Sequence, residues 1–338
     1  MALNGKKINM RDIANALGVS VVTISKALTN KEGVGTDLRK KIKDKAEEMG
    51  YVYNPIPKLL LDGKTKNIGI IVSKKFLVRG YDVYFQIYEH IIAKLSEMGY
   101  YGILEVLTKQ AEFDVEEPRI LRDSKVDGVI LLGQISTPYL EMIQTYTTPF
   151  VLLDFYGSYE NHDAIVTDNF YGGYIVTSYL IKNGHKKIGF AGNYNVTSSI
   201  MDRYMGYFKA LMENSNHEIF DKYLIMDRDA AGAHLELILP KELPTAFVCN
   251  NDEVAHKLII KLNQMGIKVP DDISIVGFDN FEKVELSPVS VTTVEVDFLE
   301  LAVIASDTII KKVEHQSYIS GRQTVGCKLV IRDSVKAI

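Results

Sequence analysis

The stretch from Asn9 to Leu28, NMRDIANALGVSVVTISKAL, constrains the fold more than any other part of the chain. It predicts two short helices broken at Gly18. Asn9 suits the N-cap of the first helix. Asp12, three residues on, sets a carboxylate against the exposed amides and the positive end of the helix dipole. Ile13, Ala16 and Leu17 then recur on one face. Gly18 ends the helix, because the chain must turn sharply and glycine takes positive φ at little cost. Val19 packs beneath the turn. Ser20 caps a second helix whose Ile24, Ala27 and Leu28 point inward, leaving Val21, Val22, Ser25 and Lys26 facing out. A turn this short holds two helices at a steep angle, so that the second can lie in a DNA major groove. Taken alone, the spacing also fits a helical hairpin buried in an all-α domain.

The flanks narrow the choice. A lysine-rich third helix is predicted from Thr36 or Asp37 to Met49, closed by Gly50, followed by Tyr51-Val52-Tyr53-Asn54-Pro55, an apolar segment to Leu61, the turn Asp62-Gly63-Lys64-Thr65 and the strand Ile68–Val72. At this point the chain closely resembles the LacI/GalR family of bacterial transcription regulators. The residues that carry the likeness include Asp12-Ile13-Ala14, Gly18-Val19-Ser20, Thr23-Ile24-Ser25, Leu28, Asn30, Gly50-Tyr51, Asn54, Gly63-Lys64-Thr65 and Ile68-Gly69. The likeness runs nearly to the C-terminus. It implies an all-α helix-turn-helix DNA-binding head at residues 1–52, a hinge at 53–66 and an α/β two-lobed, periplasmic-binding-protein-like body at 67–338. The lobes are expected at about 67–165 with 293–321, and about 166–292 with 322–338. The implied function is a sequence-specific transcriptional repressor, homodimeric on double-stranded operator DNA and switched by a small sugar-like effector. The residues implied to meet DNA are Asn9, Ser20, Val21, Val22, Thr23, Ser25, Lys26, Asn30, Asn54 and Leu60.

In such relatives the hinge is a helix that folds on the operator, and local chemistry agrees. Asn54 can cap it, and Pro55 stands at the first helical position, where a missing amide hydrogen costs nothing. Pro57 departs from the usual alanine and removes a donor that Asn54 could have capped. Leu60 stands where relatives wedge a leucine into the minor groove. Without the resemblance, this segment reads as a proline-stiffened linker with Leu59, Leu60 and Leu61 packed on the body.

Charge supports a localised DNA footprint. Residues 1–66 hold thirteen Lys and Arg against seven Asp and Glu, whereas the rest holds 26 against 36. A basic head on an acidic body confines polyanion binding to the head. There is no long apolar run and no apolar signal-peptide core at the N-terminus, so a soluble cytoplasmic protein that does not enter a membrane is expected. Cys249 and Cys327 lie in apolar runs without a CxxC or zinc-spaced histidine partner, and are expected to be reduced packing thiols.

From Asn67 onward short β-branched runs alternate with amphipathic helices, which predicts parallel sheet covered on both sides. In open α/β sheets ligands sit at the carboxyl ends of strands. Loops there present Ser73, Asp154, Asn193 to Ser199, Asn250-Asn251-Asp252 and Asp279-Asn280. Arg203 matches the arginine of the family's R-x-x-G-aromatic motif, and the resemblance implies that Arg203, Asn251 and Asp279 hold effector hydroxyls. Ser73 and Asp154 complete the expected effector set. A guanidinium fork facing a carboxylate and an amide suits a polyol. The loop Asp227-Arg228-Asp229-Ala230-Ala231-Gly232 is charged where many relatives place an aromatic that stacks on the sugar. Either Phe76, Tyr84, Phe85, Tyr156 or Phe170 supplies the stacking, or the effector is more polar than a plain hexose.

No enzyme site is expected, nor any cofactor or metal. Gly63-Lys64-Thr65 lacks the upstream glycine of a P-loop, Gly33-Val34-Gly35 lacks the third glycine of a dinucleotide fingerprint, and no GxSxG elbow occurs. The remaining rival readings are a transport-type sugar-binding protein, disfavoured by the basic head, and a sugar-handling enzyme on the same fold.

Overall fold

The computed structural model describes residues 8–51, 64–77, 83–157, 162–214, 223–281, 289–315 and 317–338. The chain divides into two compact units, residues 1–65 and 66–338.

The first unit is a three-helix head: α1 (Met10–Leu17), α2 (Val21–Leu28) and α3 (Thr36–Glu48). Its start is fixed by a reciprocal cap. Asn9 Oδ1 accepts from the amides of Arg11 (2.8 Å) and Asp12 (3.3 Å), while the Asn9 amide donates to Asp12 Oδ2 at 2.8 Å. Gly18 turns the chain at φ 64°, and the Val19 amide closes onto the Ala14 carbonyl at 3.1 Å. The core is Ile13, Ala14, Ile24, Ala27, Ile42 and Ala46. Ala14 fills the inward place expected of Ala16, which is exposed. The two lie two residues apart and so face nearly opposite sides of the helix, and it is the Ala14 side that packs with Ile24 and Ala27 of α2 and Ile42 and Ala46 of α3.

The second unit is built on two parallel sheets. The first takes β1 (Asn67–Ser73), β2 (Tyr101–Leu107), β3 (Gly128–Leu132), β4 (Phe150–Leu153) and β5 (Ala164–Thr167). The helices between these strands include α4 (Val83–Glu97), α5 (Lys109–Phe113), α6 (Arg119–Arg122) and α7 (Thr137–Gln144). The chain then crosses into a second lobe. It forms α8 (Asn169–Lys182), β6 (Ile188–Ala191), α9 (Ser198–Glu213), β7 (Leu224–Ile225), β8 (Ala246–Cys249), α10 (Asp252–Gln264) and β9 (Ser274–Val276). It returns through β10 (Thr293–Val296) to α11 (Phe298–Glu314) and β11 (Arg322–Val325), and ends in β12 (Cys327–Val330).

The six-stranded sheet has the order β11-β5-β4-β3-β1-β2 and the four-stranded sheet β7-β6-β8-β9, with β10 and β12 as an antiparallel pair. Strands β1, β3 and β4 are almost wholly buried, as expected for sheet covered by helices on both faces. Pairing of Arg322–Val325 with β5 places these residues on the first lobe, where the expected boundary had put them on the second. Residues 293–296 pair with β12 and so belong to the crossover strands rather than to the first lobe.

Helices α8 and α9 cross at two glycines. A Cβ on Gly206 would lie 2.0 Å from the Phe170 carbonyl oxygen, and one on Gly173 would lie 2.1 Å from that of Arg203. Both obstacles are backbone, so any side chain forces the helices apart. Gly206→Ala should therefore cost about 1–3 kcal/mol by overpacking and shift Arg203 relative to α8. Denaturant unfolding reads the first effect. An unchanged midpoint would mean that the crossing has slack the glycines do not reveal.

Candidate functional site

On the head, α2 presents an outward face. Val21 and Val22 are 39% and 65% exposed, and Lys26 is exposed beside the partly buried Ser25 and Thr23. Ser20 caps the helix by accepting from the Thr23 amide at 3.1 Å, and the two hydroxyls lie 2.9 Å apart. Asn30, at φ 54°, accepts from Lys43 Nζ at 2.9 Å. Asn9, Ser20 and Asn30 thus shape the motif itself, whereas Val21, Val22 and Lys26 are the side chains it offers outward. Asn54 and Leu60 lie outside the described residues.

In the body the carboxyl ends of β1, β4, β6, β8 and β10 converge on a cleft walled by both lobes, the usual place for a ligand in an open α/β fold. Arg203 anchors its floor. The α8–α9 crossing sets Arg203 Nε to donate to Asn169 Oδ1 at 2.8 Å. Nη1 donates to the Asn250 carbonyl at 2.6 Å, and Nη2 lies 3.2 Å from Asp279 Oδ1. The guanidinium stands 3.7 Å from the centre of the Phe278 ring. Asp279 itself sits at φ 97°. These restraints hold the fork in one pose at the cleft wall.

Opposite, the Tyr84 hydroxyl donates to Asp154 Oδ2 at 2.6 Å. Phe76 and Tyr84 stack with ring centres 4.8 Å apart. Gly133 makes room for them, since a Cβ there would meet both rings at 2.9 Å. Burial and the Asp154 charge hold the Tyr84 phenol well above its ordinary range, which keeps it a donor. Asp154 is pushed up from 3.8 to about 6, because burial outweighs Arg203 and the Tyr84 hydrogen bond. The folded state therefore holds this proton more tightly than the unfolded chain. The stability it contributes is full below about pH 4 and is lost as pH rises through about 6. Asp154→Asn should melt progressively higher than the parent as pH rises from about 4 to about 7. Melting curves of both proteins at matched pH check this; a pH-independent difference would defeat it.

Asn251 lines the cleft, but its Oδ1 caps α10 by accepting from the Val254 amide at 2.9 Å. That cap leaves its amide nitrogen as the group a ligand could use. Ser73 is corrected. It is fully buried, donates to Glu112 Oε2 at 2.8 Å, and is not part of the cleft wall. Position at a strand end aimed it correctly, but the buried carboxylate of α5 captured it. Of the five aromatics offered for stacking, Phe76 and Tyr84 line the cleft. Phe85 and Phe170 are surface residues, and Tyr156 joins the lobes by donating to Asp202 Oδ1 at 2.8 Å. Lys75, Arg228, His234, Glu253 and Phe298 also line the cleft. Arg228 was visible as a charged loop residue. Phe298 carried no local signal, because only the return of the chain through β10 brings it there.

Among the described residues no helix is long and apolar enough to cross a membrane, and no group of metal-ligating side chains occurs. Cys249 is buried and Cys327 half-buried, and both are free thiols.

A helix-turn-helix head on a two-lobed α/β body defines a bacterial DNA-binding regulator of transcription. Residues 9–54 match the family of bacterial regulatory proteins named for lacI, and residues 177–335 match a periplasmic binding protein-like domain. The chain is 28% identical to the HTH-type transcriptional repressor PurR of Histophilus somni over 336 residues, covering 97% of this chain and 99% of that protein. The PurR repressor of Haemophilus influenzae is also 28% identical, over 341 residues and the same shares. Among solved structures, the lac repressor dimer bound to operator and the anti-inducer ONPF matches with a TM-score of 0.80 at 21% identity, covering 98% of this chain and all of that one. The CelR–cellobiose complex matches at 0.66 and 21%, covering 97% and 99%. The head thus matches the DNA-binding domain of the LacI family, and the relatives matched over nearly the whole chain are transcriptional repressors and not enzymes.

Proposed function

We propose that the protein is a cytoplasmic, homodimeric operator-binding repressor switched by a hydroxyl-rich small molecule, a sugar or sugar derivative, held between the lobes. The observation that carries this reading is the Arg203 clamp. A guanidinium fixed by Asn169, the Asn250 carbonyl and Asp279 faces the Tyr84–Asp154 pair across a cleft walled by both lobes. Paired donors and acceptors at fixed spacing suit neighbouring hydroxyls, and the stacked Phe76 and Tyr84 rings offer an apolar wall to a sugar face. The solved relatives in complex with cellobiose and with ribose bind carbohydrates themselves, which is consistent with this class of ligand.

Binding between lobes gives a route to a switch, because a ligand that touches both favours the closed arrangement by its differential affinity for it. The lobes already meet outside the cleft: the Ser198 amide donates to Gln134 Oε1 at 3.1 Å and the Tyr156 hydroxyl reaches Asp202. DNA reading is assigned to Val21, Val22, Ser25 and Lys26, with Asn9, Ser20, Thr23 and Asn30 shaping the motif and Asn54 and Leu60 acting from the hinge. Val22→Gln replaces an apolar contact with a bidentate amide suited to adenine and should shift one base preference by about 1–3 kcal/mol, while non-specific binding stays nearly unchanged. A randomised-operator selection with both proteins reads this directly, and an identical consensus would remove Val22 from the reading set. The reading as a whole is tested by titrating the protein onto an operator-bearing fragment with and without sugars. Linkage requires that ligand change operator affinity by the same factor that operator changes ligand affinity. Binding of both without mutual effect would refute the switch.

A further inference from the structure

The cleft wall carries more charge than a neutral sugar requires, and the charge is arranged in two distinct ways. At the Arg203 end, cation and carboxylate face the cleft together, since Arg203 and Asp279 both line it 3.2 Å apart. At the hairpin end the arrangement differs. Arg228 lines the cleft, and its Nε donates to Asp227 Oδ2 at 2.7 Å. Asp227 does not line the cleft. It is 2% exposed and is fixed behind the wall by the Asn193 amide at 2.8 Å and Asn250 Nδ2 at 3.0 Å. Lys75 repeats the pattern from the opposite lobe. It lines the cleft, and its counter-charge is Glu112 at 3.1 Å, 8% exposed and behind the wall, where the Ser73 hydroxyl and the Ser136 amide hold it.

The two cations belong to one corner. The 228–234 hairpin is closed by an antiparallel bridge between Arg228 and His234. A Cβ at its tip, Gly232, would stand 3.6 Å from the Lys75 Cδ, so the lysine stem lies against the hairpin that carries Arg228. Lys75 is further steadied by the Phe76 ring, 5.2 Å from its Nζ. Arg228 is 11% exposed at its side chain, yet its Nη1 and Nη2 donate to no described residue. Nearby, Asn250 is 1% exposed and its Oδ1 accepts from no described residue. The carboxylate at this corner that does line the cleft, Glu253, is met by Lys257 Nζ at 2.7 Å and by His234 Nε2 at 3.8 Å.

We propose that Arg228, with Lys75, forms a subsite for an anionic substituent, so that the effector is a sugar carrying a phosphate ester or a carboxylate rather than a neutral sugar. This rests on the reading of the cleft as the effector site. The physical case is preorganisation. A buried carboxylate behind each cation fixes its position and leaves the other N–H groups on the cleft side available to a ligand. An anion docked there gains charge-assisted hydrogen bonds in a partly desolvated site with little reorganisation. A neutral hydroxyl gains only ordinary ones, and the guanidinium's Nη groups would be desolvated for less return. The Asn250 Oδ1 acceptor adjoins the subsite and suits a hydroxyl donor, which matches a ligand that is both polyol and anion.

The test uses the full-length protein in calorimetric titrations against matched series: neutral pentoses, hexoses and disaccharides, their phosphate esters, and the corresponding sugar acids, with inorganic phosphate alone as a further arm. The expected result is that a member of one anionic series binds at least about tenfold tighter than its neutral parent. Esters and acids are separate arms, so the tighter series identifies the anion. Arg228→Gln should abolish that difference while keeping residual affinity for the neutral parent, and Arg203→Ala should remove binding of both. Lys75→Met gives an independent variant should Arg228→Gln unfold. A neutral sugar that binds as tightly as its anionic forms, or anion preference that survives both variants, overturns the proposal and leaves the cleft reading standing. Absence of binding by every series would refute the sugar-binding cleft, and the subsite with it.

Discussion

Arg203→Ala is expected to abolish effector binding and to destabilise the body by about 3–5 kcal/mol, the usual cost of removing one partner from a buried ion pair. The side chain makes three separate attachments, to Asn169, the Asn250 carbonyl and Asp279. It is 8% exposed, as is Asp279. Alanine removes the cation 3.2 Å from the buried Asp279 carboxylate and the stack on Phe278. The loss should appear in denaturant unfolding of the body, while operator affinity in the absence of effector stays within a few-fold, because the DNA-reading helix belongs to the other unit. Arg203→Lys separates charge from geometry: an ammonium can neutralise Asp279 but cannot span three acceptors in a plane. Lysine should therefore recover much of the stability and little of the ligand affinity. If Arg203→Ala binds effector as the parent does, the guanidinium is purely structural and the site lies elsewhere in the cleft.

How legible each feature was follows the range of the interaction that makes it. The cap at Asn9 and Asp12 and the turn at Gly18 are decided within four residues, and the structure reproduces them. The inward face of α1 includes Ala14 and not Ala16, because the phase of a helix of eight residues depends on where its partners pack. Placement of Arg322–Val325 failed for a different reason. Arg322-Gln323-Thr324-Val325 shows no core-strand pattern, and only its parallel pairing with β5 assigns it a lobe.

The cleft divides similarly. Arg203, Asp154, Asn251 and Asp279 follow strand ends or a recognisable motif, so topology alone aims them inward. Ser73 shares that position but loses its hydroxyl to Glu112, a partner on a helix far along the chain. Phe298 and His234 reach the cleft through a crossover strand and a hairpin whose geometry no local pattern encodes. The charged loop at 227–229 was conspicuous as a departure, but its meaning required knowing that Asp227 turns away from the cleft while Arg228 lines it.

Operator affinity should fall by about a thousandfold or more between about 50 and about 200 mM salt, log-linearly, if a dimer makes six or more phosphate contacts. The charge distribution supplies the reason. Residues 1–66 carry thirteen Lys and Arg and seven Asp and Glu, whereas the body holds 26 basic and 36 acidic residues. Within the head some cations are already engaged: Lys45 with Glu48 at 2.9 Å, Lys43 with Asn30 at 2.9 Å, and Arg39 with the Lys31 carbonyl at 2.6 Å. The side chains of Lys26, Lys40 and Lys41 make no hydrogen bond or ion pair among the described residues, which leaves them able to release counterions from phosphate. Val21 and Val22 make contacts that release none, so a substitution such as Val22→Gln should move the preferred sequence without altering the salt slope. Removal of Lys26 by Lys26→Gln should lower the slope by about one ion per subunit if that lysine meets a phosphate. The isolated body, net acidic, should not bind duplex DNA even at low salt. Fluorescence anisotropy across a salt series with the parent, both variants and the body decides each point, and DNA binding by the body alone would show that the footprint extends beyond the helix-turn-helix.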